Sequence, residues 1–299
     1  MFNIFLVIIG SIAYGFLPIF VKNIIPYGYS SISIVFYRYL FTSIALFIII
    51  VIRKKNFKKN LKNNFKISFK INQKQFLELF IFSISGLGLT FYLLSQALLY
   101  ISAGLTNMIH FGYPVVVIIL MAVIYKEKIN RLKILSIVSS VIGIFLLTKI
   151  VAVESIESFK GIIYALITTI TYGSYIISNK KSSFANLDTM VSLFYMSLII
   201  SIAFFIAGIL TKDLQLLNNI YVFYNFIAIS LLCTVFSLGL LLYGVKNLGS
   251  SLASILNMFE PTTTVIASAF IYHEKLTINI IIGSVLIILS TVFMIFSDN

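Results

Sequence analysis

Ten stretches of about twenty apolar residues follow one another along the chain, at 2–21, 30–52, 75–98, 102–125, 131–149, 160–179, 189–210, 222–244, 250–272 and 276–297. A helix rising about 1.5 Å per residue needs that length to cross a hydrocarbon layer. Lipid offers the backbone no hydrogen bonds, so such stretches satisfy their peptide groups internally as helices. With 60% hydrophobic and 10% charged residues over 299 positions, and a mean hydropathy of +1.06, no water-soluble core could hide this apolar surface. The expected fold is all-α, a polytopic membrane protein of ten transmembrane helices. The first stretch lacks a basic start and a small-x-small cleavage site, which predicts a retained helix rather than a signal peptide.

The chain also repeats itself. Adding 147 to a residue number carries Pro114 to Pro261, Tyr125 to Tyr272, Glu127 to Glu274 and Lys128 to Lys275. Two of only four prolines thus stand in register, each the same distance before Tyr-x-Glu-Lys. Earlier in each half, adding 158 carries Tyr14-Gly15 to Tyr172-Gly173, Lys22 to Lys180 and Phe36-Tyr37 to Phe194-Tyr195. The offset falls because the first half has the longer loop after its second helix. Near Ser83 the later register already holds, Ser83 meeting Ser230 and Thr90 meeting Ser237. The expectation is two five-helix repeats, residues 1–149 and 150–299.

Basic residues set the orientation. With the N-terminus in the cytoplasm, the inner links hold sixteen, among them nine from Arg53 to Lys74, and the outer links five: Lys22, Lys149, Lys160, Lys212 and Lys275. Both termini are therefore expected inside a cell membrane. Five helices per half is odd, so the second repeat enters from the opposite side and the duplication is inverted, an arrangement secondary transporters use to obtain two related conformations around one site. The net charge of +13 then reflects membrane topology, with no nucleic-acid partner expected and anionic lipid the partner of the basic 53–74 loop. The lone Cys233, inside an apolar run, rules out an intrachain disulfide and a cysteine zinc cluster; no metal or other cofactor is expected.

Polar residues inside apolar runs carry the functional signal. Ser83, Ser85, Gly86 and Gly88, and Ser230, Cys233, Ser237 and Gly239, suit close helix packing. Pro114 and Pro261 fall about midway along their helices, where each removes a backbone hydrogen bond; recurrence in both halves favours kinks facing a cavity. Glu260, His110 and Arg38 lie about 12–15 Å from a helix end, too deep to face lipid cheaply. An ion pair or a snorkelled head group competes with a site role for Arg38 and Glu260, and an interhelical hydrogen bond does so for His110. Asn107 with His110, and Asn257 with Glu260, are one turn apart and can share a face. Tyr14, Tyr92, Tyr113, Tyr172 and Gln96 add polar edges, while Glu127 and Glu274, at helix ends among lysines, read as interfacial pairs.

In these features the chain resembles the EamA family of the drug/metabolite transporter superfamily: ten short helices in two halves, an aromatic-Gly in helices 1 and 6, Phe-Tyr-Arg38 in helix 2, Pro114 with Glu127, and Glu260-Pro261 with Glu274. The resemblance implies a central cavity lined mainly by helices 1, 3, 4, 6, 8 and 9, and export of metabolites, often amino acids, by alternating access. The chain departs from that pattern in having no Trp and a longer basic loop.

HExxH, GxSxG and paired intramembrane aspartates are missing from the sequence, so no catalytic residues are expected. One carboxylate, one imidazole, one guanidinium and several tyrosines suit a small amphipathic molecule bearing an amine, such as an amino acid, with Glu260 attracting the ammonium. A sugar would want more hydroxyl partners, and a polyanion more cations at depth. A flippase for lipid or lipid-linked sugar of the same architecture is the alternative. The sequence leaves open whether the chain forms a homodimer.

Overall fold

Helix is the only regular structure among the described residues of the computed structural model, which are 2–59, 69–151, 156–241, 256–257, 259–274 and 276–297. Eight helical stretches among them are long and apolar enough to cross a bilayer: Phe2–Tyr27, Ser31–Arg53, Gln73–Ala97, Ala103–Tyr125, Ile156–Asn179, Thr189–Leu210, Ile220–Leu241 and Ile278–Phe296. They match eight of the ten predicted runs. The other two runs hold the helices Arg131–Val151 and Phe259–Tyr272; residues 250–255 and 258, in the ninth run, lie outside the described residues.

In chain order the α-helices are α1 (Phe2–Gly15), α2 (Leu17–Ile24), α3 (Ser31–Lys59), α4 (Gln73–Ile81), α5 (Leu89–Ala97), α6 (Ala103–His110), α7 (Tyr113–Tyr125), α8 (Arg131–Val151), α9 (Ile156–Lys181), α10 (Thr189–Leu210), α11 (Ile220–Ile227), α12 (Phe259–Tyr272) and α13 (Ile278–Ser297). Local chemistry sets several starts. Asn72 and Gln75 form a capping box for α4, while Ser102, Asp188 and Asn219 accept backbone N–H groups at the starts of α6, α10 and α11. Each such cap contributes about 1 kcal/mol by satisfying a donor that helix geometry leaves free.

Several spans are not continuous α-helix. Pro18 and Pro114 each stand in the first turn of a second segment, α2 and α7, where a missing N–H costs little. The kink predicted at Pro114 is thus a break at Phe111–Gly112, followed by a fresh helix start. Pro261 likewise occupies the first turn of α12, and the Asn257 carbonyl it cannot bond accepts the Glu260 N–H instead, at 3.0 Å. Phe82–Gly88 and Ala228–Phe236 are π-helical, a feature sequence reading did not foresee. Residue 82 plus 147 is 229, so these two insertions are repeat-equivalent.

The tightest pair is α8 against α13. Ser136 Oγ donates to the Ser290 carbonyl and Ser139 Oγ to the Leu286 carbonyl, both at 2.7 Å. A Cβ placed on Gly143 would stand 2.8 Å from the Gly283 carbonyl oxygen, and one on Gly283 2.8 Å from that of Gly143. Under the offset of 147, Ser136 maps onto Gly283 and Gly143 onto Ser290, so the Gly143–Gly283 approach mirrors the Ser136–Ser290 contact, while Ser139–Leu286 maps onto itself. Outward faces, such as Phe145 (61% exposed), Leu210 (77%) and Phe270 (78%), are apolar because acyl chains are their solvent.

Candidate functional site

The centre of the bundle is built where broken helices meet. Gly15, ending α1, lies so close to α12 that a Cβ there would stand 2.5 Å from the Glu260 carbonyl oxygen and 2.8 Å from Thr263 Cβ. Only glycine lets the two backbones approach that far. Thr264 Oγ1 donates to the Gly15 carbonyl at 2.7 Å and accepts from Asn107 Nδ2 at 2.8 Å, tying α1, α6 and α12 together. Beside this joint, Ser11 Oγ donates to Asn257 Oδ1 at 3.1 Å and Asn257 Nδ2 donates to Glu260 Oε2 at 3.2 Å. The carboxylate is buried at 8% exposure, and among the described residues no salt bridge pairs it.

Repeat symmetry places α9 against α7 in the corresponding corner, where Gly173 faces Val116 and the Tyr113 carbonyl. Tyr113 occupies the position equivalent to Glu260, and His110 that of Asn257. Here the contents are aromatic: the rings of Tyr113 and Tyr172 meet edge to face at 4.8 Å, and His110 lies 4.9 Å from Tyr172. Thr168 Oγ1 spends its hydrogen on the Ala165 carbonyl at 2.5 Å and so accepts from His110 Nδ1 at 2.8 Å. In the neutral form of the ring, that leaves Nε2 as an acceptor.

Two cavities flank a layer formed by Tyr14, Arg38, Phe91 and Glu260, which line both. One extends toward Val21 and Leu98, includes Asn107 and His110, and holds about 20 Å³ of free space. The other extends toward Gly10 and Leu241, includes Tyr172 and Asn257, and holds about 80 Å³. A single water needs about 10–15 Å³ of such space, whereas ligand pockets run to several hundred. Neither space, as lined by the described residues, is of ligand-pocket size.

Of the residues singled out in the sequence, Tyr14, Arg38, Asn107, His110, Tyr172, Asn257 and Glu260 converge on these cavities. Tyr113 reaches the centre through its ring contacts without lining either. Tyr92 and Gln96 line neither one: α5 turns Phe91, Leu94, Ser95 and Leu98 inward, and Tyr92 packs on Phe204 at 6.1 Å instead. Helix 2 enters the lining with Arg38 and Tyr39, beyond the six helices the resemblance implied. Sequence reading passed over Thr168, Thr234 and Thr264, since a hydroxyl in an apolar helix can also bond its own backbone and so signals nothing by itself.

Arg38 is 2% exposed. Its Cζ sits 3.6 Å from the centroid of the Phe91 ring, and its Nη2 reaches Thr234 Oγ1 at 3.4 Å. Thr234 stands in the π-helical stretch and donates its own hydrogen to the carbonyl five residues back, Ile229, at 3.0 Å. The extra residue in that turn is what presents its oxygen to α3.

The two ends of the bundle differ. At one, Lys22 Nζ meets Glu274 Oε1 at 2.8 Å and lies 4.6 Å over the Tyr272 ring, while Glu274 also accepts from the Ala103 N–H at 3.3 Å. Tyr272 donates its hydroxyl hydrogen toward Asn23 Oδ1 at 2.7 Å. Burial opposes ionisation of Glu274, but hydrogen bonds from Lys22, Ser268 and Ala103 together outweigh it and hold the carboxyl below its ordinary value. At the other end the equivalent Glu127 pairs, among the described side chains, with Lys181 at 3.7 Å and Lys133 at 3.8 Å. Both glutamates pair at helix ends as the sequence suggested, although Glu274 takes Lys22, distant in sequence, as its partner.

No curated protein matches the sequence significantly. Eighteen chains of solved structures do match. One, a crystal structure at 11% identity, aligns with a TM-score of 0.64 over 98% of this chain and 96% of its own, which speaks for the fold alone. The family model of EamA-like transporters matches residues 1–149 and 159–296, nearly the whole length. The chain therefore belongs to the EamA-like transporter family and is a multi-pass membrane transporter of the drug/metabolite type.

Proposed function

We propose that this transporter moves small amine-bearing metabolites, amino acids foremost, out of the cell by alternating access around the Glu260 layer. The observation that carries this reading is a buried carboxylate lining both cavities, held by Asn257, with no cation paired to it among the described residues. A buried charge without a counter-ion is costly in a membrane, and an ammonium arriving from either side would relieve that cost.

The two halves, 1–149 and 150–299, act as inverted five-helix repeats in a ten-span cell-membrane protein with both termini in the cytoplasm; the mirrored α8–α13 contacts and the equivalent π-helical stretches support this. The Lys22–Glu274 bridge then closes the external end, and Glu127 with Lys181 forms its looser internal counterpart. The basic 53–74 loop lies on anionic lipid at the inner face; residues 60–68 of it are outside the described residues.

The flippase reading needs a lateral path from lipid to the centre. A cleft of about 330 Å³ between α7 and α9 does open beside Ile124 and Lys181, yet α9 stands between it and the centre, turning Tyr175 to the inner cavity and Ser174 and Ser178 to the cleft. The test is efflux of labelled amino acids from proteoliposomes. Transport that Glu260→Gln abolishes at unchanged thermal stability supports the proposal, and movement of lipid or phosphorylated compounds but no amine would sink it.

A further inference from the structure

Arg38 is the one guanidinium in this buried layer, and its surroundings do not neutralise it. Its ring neighbours, Phe91 and Tyr39 (5.3 Å from Cζ), are uncharged, and its hydrogen bonds go to neutral hydroxyls, those of Thr234 and Tyr14. Its Nε is buried with no hydrogen-bond partner, and so is the hydroxyl of Tyr39. Both side chains line the cavity that extends toward Gly10 and Leu241. Among the described residues Arg38 makes no salt bridge with Glu260, although both line the same two cavities.

A protein that needed Arg38 only for packing could carry a long apolar side chain there at far lower cost. Stacking on Phe91 offsets part of that cost, but it leaves the Nε–H donor unused. Two neighbouring orphaned groups, one a fixed donor and one a hydroxyl, are the polar half of an oxyanion site. A guanidinium also matches the two oxygens of a carboxylate in width and direction.

We propose that Arg38, assisted by the Tyr39 hydroxyl, is the subsite for the carboxylate of the transported molecule, so that this transporter selects zwitterions over simple amines. The inference builds on the amine reading of Glu260. Unpaired cation and carboxylate lining the same cavities would then hold the two ends of one α-amino acid, with its side chain against the apolar wall of Leu17, Ile34 and Leu94. Separate holders for the two charges explain why Arg38 and Glu260 are kept from neutralising each other.

The test uses the purified full chain in proteoliposomes with four matched probes: L-leucine, L-leucine methyl ester, isoamylamine and 4-methylpentanoate. Wild type should prefer leucine to both carboxylate-free amines by about tenfold or more, the range expected of a charged hydrogen bond. Arg38→Gln should lower leucine to the level of the ester and leave the ester unchanged; Arg38→Lys, keeping the charge, should restore part of the preference. Ester and leucine falling together in a folded Arg38→Gln protein, or a wild type that favours the ester, would overturn the proposal. 4-Methylpentanoate separates the two readings, because it needs Arg38 and not Glu260. It should raise the melting temperature of wild type and of Glu260→Gln but not of Arg38→Gln. If it does so while no amine is moved, the amine reading fails and the carboxylate subsite stands; if it stabilises all three proteins equally, or none, the subsite fails.

Discussion

The corner formed by Gly15 and Glu260 and the corner formed by Gly173 and Tyr113 occupy equivalent places in the repeat, yet one is polar and tight while the other is aromatic and looser. In the first, a Cβ on the glycine would collide with backbone at 2.5 Å; in the second, the nearest atom is a Val116 methyl at 3.3 Å. In the first, Asn257 bonds a carboxylate, whereas in the second His110 turns to Thr168 and packs on tyrosines. The two equivalent positions thus share a close approach to glycine and differ in chemistry: one corner holds a carboxylate, the other an aromatic cluster with an imidazole.

The sharpest way to break this comparison is to exchange the chemistry. Glu260→Gln should reduce transport by about ten- to a hundredfold, the value of a charged hydrogen bond, while Tyr113→Phe, removing only a hydroxyl, should change it by less than about fivefold. Equal losses, measured as initial efflux rates in proteoliposomes, would mean that both corners contact substrate alike.

A smaller effect separates the glycines. Gly15→Ala should destabilise by about 1–3 kcal/mol, since two backbones must move apart. Gly173→Ala needs only a few tenths of an ångström from Val116, and it gains up to about 1 kcal/mol of helix propensity, so it should be neutral or slightly stabilising. Melting temperatures in detergent would decide, and matching shifts would show that the corners are equally tight.

The smallest effect concerns the two ends. Glu274→Gln should cost about 1 kcal/mol, and Glu127→Gln, with its longer and more exposed pairs, within about 0.5 kcal/mol. Because the Glu274 carboxyl is held below its ordinary value, its contribution is complete above the unfolded carboxylate range near about 4.3 and is lost as pH falls through the lower folded value. Acid melting curves of wild type and Glu274→Gln should therefore converge only once pH falls below that lowered folded value. If they stayed parallel, the Lys22 bridge would contribute nothing.

Much of the site was legible because charge and prolines are rare in so apolar a chain. Glu260, His110, Arg38 and the two asparagines stood out by composition alone, and they do meet at the centre. The place of Tyr92 and Gln96, outside the lining of both cavities, was not legible, because a helix in lipid shows little polar-apolar periodicity to reveal its inward face.

Helix, membrane crossing and an internal repeat could all be read from the order of residues, since run length, the lack of water in lipid and recurring motifs in register admit little else. Only the tertiary structure decided which way each helix faces, that the spans break at Phe16 and Phe111–Gly112, that π-helical turns carry Thr234 toward Arg38, and that Glu274 pairs with Lys22. These depend on contacts between helices far apart in the chain. In a membrane such contacts are selected by backbone approach and unsatisfied polar groups, which leave no periodic trace in the order of residues.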